Sequence, residues 1–344
     1  AIAPPTVRCI DTRRENLQDG MSAALLAAVG TRLERGEQSL IFLNRRGYAP
    51  VTVCRACGHR MDCPNCAASL VEHRFRRQLI CHHCGHHEPT PQSCPQCGVE
   101  GKLVPCGPGI ERLAEEAVQR FPEARIAILS SDLARGVFLR DVIRDVAKGE
   151  YNLVIGTQLV AKGHHFPFLT FVGVVDADLA LESSDPRAGE RTWALMAQVA
   201  GRAGRGEKPG HALVQTHMPE HPLMQALKKG DREGYLAQEK LIRENAGLPP
   251  YGRLAAIIIA GSDAAETEHF VRLVARAAPT GEGVVILGPA TAPIHIVRGR
   301  FRWRFLVKAP REVNIQAFLR QWLKDIKPKG SIHLGIDVDP YNFL

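Results

Sequence analysis

Short apolar stretches alternate with amphipathic stretches through the middle of the chain. Apolar runs typical of buried strands begin at Ser39, Ala124, Asn152, Phe171 and His211. Helical periodicity covers 109–120, 135–146 and 190–200. Strands that alternate with helices in this way form a parallel α/β sheet, in which the loops at the strand ends carry function. The pattern predicts an α/β domain built from residues 1–50 and 107–216.

The pattern changes after Gln215. Residues 217–253 are typical of a helical linker that ends at the Pro249-Pro250 break. The following pattern predicts a strand at 254–260, a helix at 264–277, strands at 284–288 and 300–308, a helix at 312–326 and a strand at 332–338. This order predicts a small separate α+β domain over 254–344, with the ferredoxin-like succession of elements.

Strict alternation marks the segment RFRWRFLVK at 300–308. It places Phe301, Trp303 and Phe305 on one face and Arg300, Arg302 and Arg304 on the other. The chain has a formal net charge of +8, and residues 295–330, with ten Lys or Arg against two acidic residues, account for all of it. The arginine face is therefore predicted to bind DNA phosphates or an acidic peptide, and a core strand with a solvated outer face is the simpler alternative.

Length and composition exclude a membrane-spanning or disordered chain. With 344 residues and 45% hydrophobic content, the chain is long enough for two or three packed domains. No apolar run approaches the length of a membrane span, and no charged-then-apolar leader opens the sequence. We expect a soluble cytoplasmic protein, and a piece of a longer one.

Eight of the ten cysteines form four Cys-x-x-Cys pairs, which without a secretory leader indicates zinc and not disulfides. The two middle pairs are 14 residues apart, a usual spacing for one zinc, whereas five residues separate the first two pairs. A nested pairing is therefore preferred to pairing along the sequence. The nested sites are Cys54, Cys57, Cys94 and Cys97 for one ion, and Cys63, Cys66, Cys81 and Cys84 for the other.

Zinc held by four thiolates has no open coordination position, so both ions are predicted to be structural. They would stabilise an insertion at 51–106 that is too small to build its own core. Six histidines in this insertion could replace a cysteine ligand, although eight thiolates already suffice: His59, His73, His82, His83, His86 and His87. Cys9 and Cys106 lie outside the pattern and are predicted to be buried small hydrophobes.

Two further segments suit phosphate or nucleic-acid binding. The run QVAGRAGR at 198–205 would place Gln198, Arg202 and Arg205 on one helix, where paired guanidinium groups suit a phosphate chain. Loop 155–167 offers Thr157, Gln158 and Lys162 to a nucleic-acid backbone.

A nucleotide site is incomplete within this sequence. No G-x-x-x-x-G-K-[ST] loop occurs in it. The run FVGVVDAD is similar to a magnesium-binding strand, but without a phosphate loop Asp176 and Asp178 could equally cap the strand or pair with Arg202.

Together, FLNRRGY, the cysteine pairs, IGTQLVAKGHHFP, VVDADLAL, QVAGRAGR and DVDPYNFL resemble the C-terminal portion of the PriA family of primosomal replication-restart DNA helicases. The resemblance implies a RecA-like second helicase lobe with a two-zinc insertion and a C-terminal domain. It implies an ATP-dependent helicase that moves 3′ to 5′ and rebuilds the primosome at abandoned forks, in the cytoplasm at the nucleoid. The implied partners are forked and single-stranded DNA, the single-strand-binding protein and other restart proteins.

By position, the resemblance implies that Arg202 and Arg205, with Gln198 nearby, reach the γ-phosphate of ATP. Loop 155–167 would couple DNA contact to that site. The family's first lobe, with its phosphate loop and magnesium box, is not in this sequence, so ATP and Mg²⁺ would bind only through that lobe. The alternative is a stand-alone, zinc-stabilised adaptor that binds DNA or replication proteins without hydrolysing ATP.

Overall fold

The structure is a computed structural model. It describes residues 4–18, 20–43, 51–66, 68–73, 78–81, 84–106, 109–130, 137–161, 164–178, 181, 187–204, 206 and 208–341. The strands are β1 Thr6–Asp11, β2 Gln38–Leu43, β3 Val51–Cys54, β4 Val71–His73, β5 Gln78–Ile80, β6 His87–Pro89, β7 Leu103–Cys106, β8 Ile126–Leu129, β9 Leu153–Gly156, β10 Leu169–Val175, β11 His211–Thr216, β12 Gly252–Gly261, β13 Val285–Val297, β14 Arg300–Pro310 and β15 His333–Val338. The helices are α1 Ala23–Glu34, α2 Ile110–Arg120, α3 Val137–Ala147, α4 Gln158–Ala161, α5 Ala188–Ala200, α6 Pro222–Lys229, α7 Arg232–Asn245, α8 Ala264–Arg276 and α9 Ile315–Leu323.

The chain divides into two compact units. The first comprises residues 1–50, 106–183 and 187–236, and the second comprises 51–105, 184–186 and 237–344. In the part of the chain that the structure describes, no helix is long and apolar enough to cross a bilayer.

The first unit is built on a six-stranded sheet in the order β1-β11-β10-β2-β9-β8, and all its pairings are parallel. Because both faces are covered, the central strands β2, β9 and β10 are buried throughout. Along β2, Leu40 and Phe42 enter one apolar core while Ile41 and Leu43 enter the core on the opposite face. The predicted parallel α/β fold is confirmed.

The predicted helical linker, 217–253, does not act as one segment. Leu223 and Met224 of α6 are fully buried in a core of the first unit. Tyr235 of α7 stacks on Trp193 there, with ring centroids 5.0 Å apart. The division between the units falls inside α7, between residues 236 and 237, because the start of this helix carries the apolar side chain that the first unit buries.

In the second unit, residues 252–338 form a four-stranded antiparallel sheet in the order β13-β14-β12-β15. With α8 between β12 and β13, and α9 between β14 and β15, this is the predicted ferredoxin-like order. Both helices pack on one face of the sheet, against Ile257, Phe305 and Val307. Strand β13 continues to Val297, well beyond the predicted end at residue 288, and forms a long hairpin with β14.

The cysteine-rich segment lies between β2 and α2 in the chain, as predicted for an insertion. It contains a two-stranded sheet, β3-β7, and a three-stranded antiparallel sheet, β4-β5-β6. Its small apolar cluster includes Met61, Leu70 and Leu79 together with cysteines. So small a cluster gives little burial, and this segment therefore depends on another source of stability.

Candidate functional site

The cysteine sulfurs gather into two tetrads in the nested arrangement. The outer tetrad comprises Cys54, Cys57, Cys94 and Cys97, and the inner tetrad comprises Cys63, Cys66, Cys81 and Cys84. Within each tetrad all ligand atoms lie within 4.8 Å of one another. The sulfur of Cys54 is 3.7 Å from that of Cys97, and the sulfur of Cys63 is 3.6 Å from that of Cys84.

These separations exclude disulfides and fit a metal. Four sulfurs about 2.3 Å from a tetrahedral zinc lie about 3.8 Å from one another, whereas a disulfide requires about 2.05 Å. The two tetrads are therefore consistent with two structural zinc ions. Each set of four thiolates would surround its zinc completely and leave no position for a substrate.

The backbone prepares three of the four Cys-x-x-Cys turns through a glycine. Gly58, Gly85 and Gly98 directly follow the second cysteine of their pairs and have φ of 76°, 80° and 72°. Glycine adopts this left-handed conformation at little cost. It closes the turn so that Gly58 N–H donates to the Cys54 carbonyl and Gly85 N–H to the Cys81 carbonyl.

Histidines join neither tetrad among the residues that the structure describes. His59, His86 and His87 are outside both groups, and His86 lies 3.4 Å from the Glu88 carboxylate. The side chain of His73, and His82 and His83, lie outside the described residues, as does the side chain of Cys106. Cys9 is half-buried against α6, and burial raises the pKa of its thiol, as expected for an inert packed cysteine.

The run QVAGRAGR does not continue as one helix, so the prediction that Gln198 and Arg202 lie on one helix is wrong. Helix α5 ends at Ala200, and the next residues form a tight turn in which Arg202 N–H donates to Val199 C=O. A right-handed helix cannot continue through Gly204, which has φ of 73° and whose added Cβ would lie 2.3 Å from the Gly210 nitrogen. Gln198 stays on the exposed side of α5.

Arg202 is buried, with only 4% of its surface exposed. Its guanidinium donates two short hydrogen bonds, to the backbone carbonyls of Ala161 and His164. The side chain thus joins the turn after α5 to the last residue of α4 and to the segment that follows that helix. Sequence reasoning missed this bond, because its acceptors are backbone atoms that carry no signal in the sequence.

The other residues of loop 155–167 occupy a structured corner. Thr157 is buried, and its N–H donates to the Leu129 carbonyl at the end of β8. Gln158 begins α4 and is half-buried. Lys162 and Arg205 lie outside the described residues.

Asp178 is a cap. It is 1% exposed and accepts hydrogen bonds from the hydroxyl of Thr216 and from the backbone N–H of His217. Nδ1 of His217 lies 2.9 Å from the same carboxylate. Asp176, two residues earlier, has a positive φ of 56° at the end of β10. Of the alternatives left open by the sequence, capping is the one that the geometry of Asp178 supports.

The alternation along β14 is as predicted, but the three arginines differ. Trp303 and Phe305 face α8 and α9, and the arginines lie on the opposite face. Arg300 donates to the backbone carbonyls of Ala260 and Ser331, which gives it a structural role in the sheet. Arg302 and Arg304 are half-buried beside apolar residues of that open face.

Two family profiles match this chain. The one described as "Primosomal protein N C-terminal domain" matches residues 244–341. The one described as "PriA DNA helicase Cys-rich region (CRR) domain" matches residues 63–89, which contain the whole inner tetrad.

Two relatives named "Replication restart protein PriA" match nearly the whole chain. The protein of Rickettsia felis is 41% identical over 342 residues, which are 98% of this chain and 53% of that protein. The protein of Bacillus subtilis is 35% identical over 355 residues, covering 99% of this chain and 43% of its own length. The chain thus spans about half the length of the relatives it matches.

Among solved structures, the alignment with S. cerevisiae Dbp5 bound to RNA and ADP BeF3 covers 71% of this chain and 46% of the Dbp5 chain. The identity is 16% and the TM-score is 0.35, too low to support an assignment of fold or function. The assignment depends on the two profiles and on the relatives. The chain belongs to the PriA family of replication restart proteins, of which it carries the cysteine-rich region and the C-terminal domain.

Proposed function

We propose that this chain is part of an ATP-dependent 3′ to 5′ DNA helicase that restarts stalled replication forks by primosome assembly. The observation that carries the proposal is the 41% identity to a replication restart protein over 98% of the chain. Since the chain spans 53% of that relative, the remaining half would supply the phosphate loop and the magnesium box. ATP and Mg²⁺ would be held there.

In this proposal the two arginines of QVAGRAGR have different roles. Arg205 acts as an arginine finger, which stabilises the charge that develops on the γ-phosphate. Gln198 lies nearby, on the exposed end of α5. Arg202, which the family resemblance also directs at the γ-phosphate, is committed to the carbonyls of Ala161 and His164. We assign it the positioning of the finger relative to the loop that contacts DNA.

The nucleic-acid track would follow Thr157, Gln158 and Lys162, with Arg302 and Arg304 as a second basic surface. Forked and single-stranded DNA are the proposed substrates. The tetrads would hold two structural zinc ions. The module that they stabilise would bind single-strand-binding protein and other restart proteins, and the protein would act at the nucleoid in the cytoplasm. Backbone amides and cations bind a nucleic-acid backbone regardless of its sequence, which suits an enzyme that must act at any fork.

The test is the Arg205→Ala variant in the complete protein. We expect it to lower DNA-stimulated ATP hydrolysis by about 10³-fold while forked-DNA affinity is kept. Arg140→Ala is the matched control, because Arg140 is an exposed arginine of α3 in the same unit. Hydrolysis that persists in Arg205→Ala, or falls equally in Arg140→Ala, would contradict the arginine-finger role.

A further inference from the structure

The tip of the β13-β14 hairpin lies against the inner cysteine tetrad. Its two turn residues, Arg298 and Gly299, have φ of 52° and 71°, as a tight two-residue hairpin requires. The Arg298 N–H donates to the sulfur of Cys66 at 3.4 Å, and the Gly299 N–H donates to the carbonyl of Asn65 at 2.7 Å. Val297, just before the turn, packs on the apolar cluster of the cysteine-rich segment.

This contact replaces a hydrogen bond that other cysteine turns obtain locally. The second cysteine of a pair accepts from the backbone two residues later at Cys57, from His59, and at Cys84, from His86. In both turns glycine follows the cysteine, and its positive φ directs the chain back. Alanine follows Cys66 in the sequence. The donor for Cys66 comes instead from a residue 232 positions later in the chain.

The chemistry of the contact suits a thiolate bound to zinc. A Zn²⁺ ion with four thiolates carries a net charge of about −2, and Cys66 is almost fully buried, so solvent stabilises this charge poorly. The Arg298 N–H donates to the Cys66 sulfur and so stabilises negative charge on it. Arg298 also places a cationic residue at the same tip.

We propose that the 297–299 hairpin tip is the outer-sphere partner of the inner zinc site, so that metal binding there and docking of the hairpin are thermodynamically coupled. The Arg298 amide stabilises the Cys66 thiolate, and the metal fixes the Cys63-Cys66 turn against which the tip rests. Outer-sphere hydrogen bonds of this kind change metal affinity by about 10- to 100-fold. The outer tetrad, which makes no hydrogen bond to the hairpin among the described residues, should not share this coupling.

The proposal depends on the proposed occupation of both tetrads by zinc. Elemental analysis of the purified protein tests that occupation separately, with two zinc per chain expected. The coupling itself is first tested without any substitution. With an NMR-active cadmium isotope in place of zinc, the Arg298 amide proton should show scalar coupling to the metal through the N–H···S bond. An Arg298 amide without that coupling, in a protein that holds two metals, would overturn the proposal and leave the occupation intact.

The second test compares Gly299→Val with Gly330→Val. Both glycines lie in the C-terminal domain with positive φ, 71° and 58°, and neither has an atom within 4 Å of an added Cβ. The two substitutions therefore strain the backbone alike, but only the first disturbs the hairpin tip. A chelator removes the zinc, and alkylation of the freed cysteines measures the rate of metal loss. Mass spectrometry identifies which cysteines are alkylated and so distinguishes the two tetrads.

We expect Gly299→Val to accelerate metal loss from the inner tetrad about tenfold and to leave the outer tetrad unchanged. Gly330→Val should leave both unchanged. Equal rates for the two variants, or an equal acceleration at both tetrads, would show that the hairpin contributes general stability and not a hydrogen bond to this site.

Discussion

Among the described residues, Arg202 is an arginine that the fold buries almost completely. It is buried, and two backbone carbonyls accept from its guanidinium. Lysine keeps the charge but cannot direct a planar fork at both acceptors. We expect Arg202→Lys to destabilise the first unit by about 2 kcal/mol, since one charged hydrogen bond is lost.

Hydrogen exchange at the amides of β10 measures the stability change caused by Arg202→Lys, because β10 is a central strand of the six-stranded sheet in the first unit. Arg140→Lys, on the exposed surface of α3, serves as the control and should leave exchange unchanged. Unaltered protection of β10 in Arg202→Lys would mean that the two carbonyl contacts contribute little.

His164, whose carbonyl accepts from Arg202, should resist protonation. Burial first, and the Arg202 charge second, hold the pKa of its imidazole below the ordinary 6.5. Well above pH 6.5 the ring is neutral in both folded and unfolded chains and contributes nothing to the pH dependence of stability. As pH falls below that value the unfolded chain takes up a proton before the folded one does, so the fold loses stability.

An NMR titration of the ring protons measures this pKa directly. The ordinary histidine value of 6.5 provides the comparison. His164→Gln should flatten the fall in stability just below pH 6.5, and a titration of His164 at or above that value would contradict the assignment.

At the scale of elements, the turn after α5 depends on a glycine for two separable reasons. Gly204 has φ of 73°, and its added Cβ would lie 2.3 Å from the Gly210 nitrogen. Gly36, in the same unit, has φ of 65° with no atom within 4 Å of its Cβ position. Gly36→Ala should therefore cost only the backbone strain, about 1 kcal/mol.

Gly204→Ala should cost the same strain and about 2 kcal/mol more, because the clash is with backbone that cannot rotate away. Urea denaturation of the two variants beside the parent gives the difference. Equal losses of stability would show that the turn after α5 can open to admit a methyl group.

Strand β14 allows a test of the second basic surface. Arg302 and Arg304 lie on the sheet face opposite the helices, and Arg300 is held by backbone carbonyls. Reversing Arg302 and Arg304 to Glu should weaken single-stranded DNA binding and reduce the slope of log affinity against log salt by about 0.7 for each phosphate that the protein no longer neutralises. Reversal of Lys327 and Lys329, exposed residues after α9, provides the matched control.

The salt dependence also separates the alternatives for this face. If the Arg302 and Arg304 variant keeps its affinity for both DNA and an acidic peptide, the two arginines belong to a solvated face without a partner. If an acidic peptide loses affinity while DNA does not, the partner of the strand is a protein.

Periodicity predicted most of these elements because each depends on local pattern. Strand β9 and the C-terminal succession from β12 to β15 follow directly from apolar spacing. Strand β1 was not predicted: it is an edge strand whose residues are only partly buried, so its apolar signal is weak. The bond from Arg298 to Cys66 joins residues 232 positions apart, and no local pattern encodes such a contact. The Arg-Gly pair at the turn did hold a signal, since glycine is typical of two-residue hairpins.

The order of the segments along the sequence differs from their grouping into compact units. The cysteine-rich segment interrupts the α/β sheet in the sequence, yet it forms one compact unit with the C-terminal domain. A partner that binds this unit could therefore contact zinc turns and the C-terminal sheet together.

This chain alone should not hydrolyse ATP. With excess forked DNA and Mg²⁺, we expect no ATP hydrolysis above background, because no phosphate loop of the G-x-x-x-x-G-K-[ST] form occurs in the sequence. Clear DNA-stimulated turnover would reveal a nucleotide site within these residues, and the segment around Asp176 would be the first to test. Absence of ATP hydrolysis is also expected of an adaptor. The separately expressed N-terminal half of a PriA protein is therefore added to distinguish the two alternatives. Turnover restored by the parent chain but not by Arg205→Ala would identify this chain as the missing part of a DNA-stimulated ATPase and contradict the adaptor alternative.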